Sequence, residues 1–188
     1  MKKIDPNARG AVYTLGHSTR TEEAWLQLLS HYRIERLVDV RTVPKSRRVP
    51  HFNKERLASL LPIHRVEYQH QPALGGLRKS TDPHSPNRGW RNASFRGYAD
   101  YMQTEAFEAA LERLLSESLG KRIALMCAEA VPWRCHRMLL SDALSARGIP
   151  VCHILSLTQA KPHVITAFAR VEGGKIRYPV SHDQQALF

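Results

Sequence analysis

A chain of 188 residues with 43% hydrophobic content is long enough for one domain with its own core, which excludes a disordered polymer. The start Met1-Lys2-Lys3-Ile4-Asp5-Pro6 has no apolar run behind it, and no later stretch reaches the roughly 18 apolar residues of a membrane span, so the sequence reads as soluble with no visible export signal. Lys and Arg together number 28 against 17 acidic residues, and this net charge of +11 favours polyanionic partners, with a basic but merely solubilising surface as the alternative.

Ala11 to Gly16 reads as a short buried strand, and Thr21 or Thr19 can cap a helix with Trp25, Leu28, Leu29 and Tyr32 on one face. A second strand, Leu37 to Val40, follows, and Asn53 is placed to cap a helix from about Lys54 to Leu61. Arg65 to Gln69 suggests a third strand. The stretch from Ser80 to Ser94 reads as a long loop, of the kind that is often functional. Helical spacing resumes through Tyr98, Tyr101 and Met102, then through Phe107, Leu111, Leu114 and Leu115, before Gly120 ends it. A βαβ unit follows, with a strand at Ile123 to Met126, a helix from Cys135 to Ala146 stopped by Gly148, and a strand at Val151 to Leu155. Phe168 to Val171 and Lys175 to Tyr178 flank Glu172-Gly173-Gly174 as a hairpin at the sheet edge.

Repeating βα order predicts a single α/β domain over residues 1–188: a mostly parallel open sheet flanked by helices, with its core at about 11–157 and a hairpin and tail over 158–188. In such sheets ligands bind outside the carboxyl ends of the strands. Three polar segments follow strands here: Gly16-His17-Ser18-Thr19-Arg20, then Asp39-Val40-Arg41 with Pro44 and Ser46-Arg47, then Cys127-Ala128-Glu129 leading to Cys135-His136-Arg137. Together with Leu74-Gly75-Gly76, Phe95 and Tyr98, this ordered set resembles the bacterial family known as domain of unknown function 488, from Val12 to about Leu155. The resemblance implies one shared site and no particular reaction.

Arg20, Arg41, Arg47 and Arg137 are candidate phosphate ligands, because a planar guanidinium binds phosphate through two parallel bonds and stays charged. Their alternative is internal pairing, Arg41 with Asp39 or Glu129 in particular. Asp39, Glu129 and His17 are the acid and base candidates. Cys127 is compared with thiol nucleophiles, although a buried structural cysteine is the simpler reading. Ser18, Cys135 and His136 complete the expected pocket.

His17, Cys127, Cys135 and His136 are the residues that could form a metal site, but none is assigned as a ligand: the seven residues between Cys127 and Cys135 are not a recognised finger spacing, and Cys135 and His136 would diverge by about 100° if both stood on a helix. Three cysteines, an odd set in a chain of this size, argue for free thiols in a reducing compartment, and so for a cytoplasmic protein. No cofactor is identifiable.

Arg88, Trp90, Arg91 and Arg96 interleave basic and aromatic side chains as in single-strand nucleic-acid binders, with burial of Trp90 as a loop anchor the alternative. Gln184, Leu187 and Phe188 form a tail like the peptides that dock on the bacterial sliding clamp. The leading expectation is an enzyme acting on nucleic acid or a nucleotide-like phosphate compound. Its rivals are a non-catalytic nucleic-acid or DNA-repair accessory module and a Cys/His metal or thiol redox protein.

Overall fold

The computed structural model describes residues 10–80 and 82–180. Its strands are β1 (Val12–Gly16), β2 (Arg36–Asp39), β3 (Glu67–His70), β4 (Ile123–Cys127), β5 (Val151–Ile154), β6 (Ala160–Pro162), β7 (Arg170–Glu172) and β8 (Lys175–Arg177). Its helices are α1 (Glu22–His31), α2 (Lys54–Ile63), α3 (Ala93–Tyr101), α4 (Glu105–Glu117) and α5 (Arg137–Ala146). The protein is an α/β domain whose six-stranded sheet has the order β3-β2-β4-β1-β5-β6. All neighbours in it are parallel except β6, which runs antiparallel to β5.

Local chemistry sets the helix starts. The Thr21 hydroxyl accepts from the Ala24 amide at 3.2 Å, and Glu22 and Glu23 occupy the positive first turn of α1. Thr104 caps α4 by accepting from Phe107, again with Glu105 and Glu108 in the first turn. Asn53 precedes α2 as expected but does not cap it, because its Oδ1 accepts the Ser46 amide at 2.6 Å and ties down the loop after β2.

The central strands β1 and β4 are buried along their whole length and carry apolar groups on both faces, as a sheet covered on both sides requires. Tyr13, Leu15, Leu37, Ala124 and Met126 pack with Trp25, Leu28 and Leu29 of α1 and with Leu57 and Leu61 of α2. Val12, Val38, Leu125 and Cys127 pack on the other face with side chains of α3, α4 and α5. From β1 the chain passes through α1, over one face, to β2, whereas from β4 it passes through α5, over the other face, to β5. The edge between β1 and β4 is therefore the switch point at which parallel sheets leave room for a ligand.

The C-terminal hairpin forms, but as a separate two-stranded sheet of β7 and β8; the edge of the main sheet is taken by β6 instead. Among the described residues no helix is long and apolar enough to cross a membrane.

Candidate functional site

Register decides which of the expected groups meet. Gly16 pairs with Cys127 and Asp39 with Met126. Because alternate side chains point to opposite faces, Asp39 lies on the α1–α2 face with Met126, and Cys127 on the α3–α5 face. The strand-end residues thus form two clusters, back to back across the sheet edge, rather than one ring around a single ligand. Backbone bonds from His17 to the Cys127 carbonyl and from Ser18 to the Ala128 carbonyl stitch the two together. The approach is so close that a Cβ on Gly16 would lie 1.8 Å from the Glu129 carbonyl oxygen, so glycine is required there. Ser18 holds a left-handed φ of 52°, a strained conformation outside glycine.

The first cluster centres on Arg41. Its Nε donates to Asp39 Oδ1 at 2.8 Å, and NH2 donates to Asp39 Oδ2 at 2.6 Å and to the Phe52 carbonyl at 2.7 Å. NH1 lies 3.2 Å from His17 Nε2. His17 Nδ1 stands 2.9 Å from the Ser18 carbonyl, which can only accept, so Nδ1 carries the proton and the Nε2 lone pair faces Arg41. Burial pushes the His17 pKa down to about 4, the Ser18 bond opposing and the Arg41 charge reinforcing the shift. The imidazole is neutral at pH 7 and stacks on Phe52 at 4.4 Å. Tyr68 donates its hydroxyl to Asp39 Oδ2 at 2.8 Å. Asp39 and Arg41 are fully and almost fully buried, respectively.

The second cluster holds Cys127, Cys135 and His136, all buried, with ligand atoms within 4.8 Å of one another. His136 Nδ1 is 3.5 Å from Cys135 Sγ and 3.9 Å from Cys127 Sγ. The expected divergence of Cys135 from His136 does not occur, because α5 begins only at Arg137. Cys135 is extended (φ −140°, ψ 149°) and His136 is the helix N-cap, so both side chains turn to the same place. The hydrogen bond from Cys127 pulls the Cys135 thiol pKa well down, with burial opposing; the same bond, and then burial, push Cys127 up. All three cysteines are free. Gly76 closes on the His136 ring, where a Cβ would come within 2.3 Å of Nδ1.

Arg137, buried beside this cluster, donates to the Glu129 carbonyl and to Thr14 Oγ1. A chain of buried polar groups continues from there. Thr14 Oγ1 is 2.8 Å from His153 Nδ1, His153 Nε2 is 2.9 Å from His163 Nδ1, and His163 Nε2 is 2.7 Å from Asp142 Oδ1. Asp142 can only accept, so His163 Nε2 carries a proton; with both imidazoles neutral the chain then runs in one direction, His153 Nε2 donating to His163 Nδ1 and Thr14 donating to His153. Asp142 also accepts from the Thr166 amide and hydroxyl and from the Tyr178 hydroxyl. Burial and the neighbouring His163 lower the His153 pKa to about 3.

A family model described as domain of unknown function DUF488 matches residues 21–144, about two thirds of the chain. The chain belongs to the DUF488 family. Comparisons with curated proteins and with solved structures returned no match. The DUF488 match spans Asp39, Arg41, Cys127, Cys135, His136, Arg137 and Asp142, whereas Gly16 to Arg20, His153 and His163 lie outside it.

The other expected residues of this DUF488 chain are dispersed. Arg20 bridges the Gly16 and Leu155 carbonyls at 2.7 and 2.9 Å. Arg47 and Glu129 are exposed, and Ser18 is half-buried. Trp90 is a loop anchor, with Phe95, Phe168 and Tyr178 packed round it at 5.0 to 5.5 Å. Arg88 and Arg91 beside it are exposed and Arg96 is half-buried. Gln184, Leu187 and Phe188 lie outside the described residues.

Among the described residues a recess of about 600 Å³ lies at the opposite edge of the sheet, lined by Val12, Glu35, Leu115, Lys121, Arg122 and Ile149 among others, and none of the residues of the two clusters lines it. Sequence reasoning missed Thr14, Asp142, His153 and His163. The available signal was a polar residue inside each of two apolar strands, at paired positions: Thr14 in β1 faces His153 in β5.

Proposed function

We propose that the protein acts on nucleic acid or a nucleotide-like phosphate compound bound across the strand-end rim, with the buried clusters beneath serving as reactive and supporting groups. The observation that carries this reading is the character of what the rim exposes at the switch point. Lys45, Arg47 and Arg48 follow β2, and Trp133 and Arg134 follow β4; all are exposed, Trp133 at 56%. Cationic side chains beside an open indole face are what a phosphodiester strand or a nucleotide requires, charge for phosphate and a π-surface for the base. Trp133 supplies the stacking face that Trp90, packed among three rings, does not.

Arg41, Arg20 and Arg137 already bond within the chain, so in this reading they stiffen the floor and the rim arginines meet the phosphate. That internal bonding also favours a second reading, a non-catalytic nucleic-acid module. Binding of a random single-stranded oligonucleotide, followed from 50 to 200 mM salt, tests the shared part: affinity that falls steeply with salt supports it, and an absence of binding at the lower salt overturns it. Turnover of the bound oligonucleotide separates enzyme from module.

A further inference from the structure

We infer that Cys127, Cys135 and His136 form a binding site for a borderline-soft divalent metal ion, zinc first, with three protein ligands and a fourth position open. This inference stands independently of the nucleic-acid reading.

The spacing of the three ligand atoms carries it. A tetrahedral zinc with Zn–S near 2.3 Å and Zn–N near 2.05 Å sets sulfur and nitrogen ligands about 3.6 Å apart. His136 Nδ1 lies 3.5 Å from one sulfur and 3.9 Å from the other, before any metal draws them in. Two thiolates and one imidazole are the donors that select zinc over magnesium or calcium. Three protein ligands with an open position is the pattern of catalytic rather than structural zinc.

Gly76 packs against the His136 ring, where a Cβ would meet Nδ1 at 2.3 Å; its φ is not left-handed, so the missing side chain matters for space rather than for backbone conformation. The ring is held from another side by Tyr98, at 5.1 Å between centroids. Three segments far apart in sequence, the end of β4, the turn before α5 and the loop after β3, meet at one imidazole nitrogen. A plain apolar core has no need of that convergence. Binding balances as one Zn²⁺ and two thiols giving a neutral zinc dithiolate and two released protons.

The test uses the full chain, stripped with a chelator under reducing conditions and titrated with cobalt(II) and with zinc(II) against a chromophoric competitor. The expected result is one equivalent bound, with an intense thiolate-to-cobalt charge-transfer band and visible bands of tetrahedral intensity, and a rise in thermal midpoint with zinc. Cys127→Ser and Cys135→Ser should each weaken zinc binding by more than about 100-fold, beyond what loss of an outer partner does, and His136→Gln should shift the cobalt bands. Cys152→Ser is the control, because Cys152 lies on the other face of the sheet, and should bind like the parent. Failure of the parent protein to bind either metal stoichiometrically would overturn the site, even if the variants fail to fold. So would a cobalt complex without a charge-transfer band, or binding that Cys135→Ser leaves unchanged in a protein that still melts cooperatively.

Discussion

Arg41 grips Asp39, two residues before it in the chain, through two parallel bonds of 2.8 and 2.6 Å, and neither side chain is open to solvent. Removing one member of such a pair strands the other's charge in the interior. Arg41→Ala should therefore destabilise the fold by about 3 to 5 kcal/mol, read as a lower midpoint in urea denaturation. Arg41→Lys should recover only part, since an ammonium cannot reproduce the fork. A midpoint unchanged in Arg41→Ala, with weaker phosphate binding, would instead make Arg41 a ligand-facing residue.

Acid should weaken the protein over a defined window. His17 and His153 are lowered to about 4 and about 3, whereas in the unfolded chain both titrate near 6.5. Between those values the unfolded state binds more protons, so stability rises with pH there and is lost as pH falls from about 6.5 toward 3 to 4. For His17 alone the full loss is on the order of 3 kcal/mol. Urea midpoints at several pH values from 7 to 4 measure the slope, and His17→Asn should flatten it whatever it does to absolute stability. A midpoint constant from pH 7 to 4.5 would contradict these buried neutral imidazoles.

Most of the fold was legible because hydrophobic period and cap residues are local. β1, β4, β5 and α1 through α5 all lie where apolar spacing put them, to within a few residues. The site was legible only as far as the sheet edge. Which face each residue takes depends on register, and register between β2, β4 and β1 is set by packing of segments far apart in the chain. Asp39 and Cys127 therefore looked like neighbours and stand on opposite faces. Cys135 and His136 were misjudged for a smaller reason: a helix start taken two residues early turns a converging pair into a diverging one. The Asp142–His163–His153–Thr14 chain draws its members from α5, the segment after β6, β5 and β1; a polar residue within each of two apolar strands hints at Thr14 and His153, but only register pairs them and nothing local ties Asp142 and His163 to them.

That chain makes a prediction about the C-terminal hairpin. Asp142 accepts from His163, twice from Thr166 and from Tyr178, and so fastens the segment before β7 and the residue after β8 to α5. Asp142→Ala would leave these donors buried without an acceptor, at roughly 1 to 3 kcal/mol for each neutral group that water cannot reach. Global stability should fall by about 3 kcal/mol or more, and hydrogen exchange should accelerate first at Thr166 and at residues 170–178. Exchange that rises uniformly, with no lead at those residues, would mean that the hairpin is held by its aromatic packing alone.

The rim and the floor should separate under salt. An exposed arginine that neutralises one phosphate contributes about one released counterion, so Arg47→Ala and Arg134→Ala should each weaken single-strand binding and reduce the salt slope by about 1. Trp133→Ala should cost about 1 to 3 kcal/mol in affinity with the slope unchanged, since stacking releases no counterions. Arg20, bonded to two backbone carbonyls, belongs to the floor. Arg20→Ala should leave the slope as it is, whatever it does to stability, because a guanidinium spent on carbonyls displaces no counterion from the strand. Equal slope changes from Arg20 and Arg47 would put the phosphates deeper in the switch point than the rim, and the internal bonds of Arg20 would then have to open on binding.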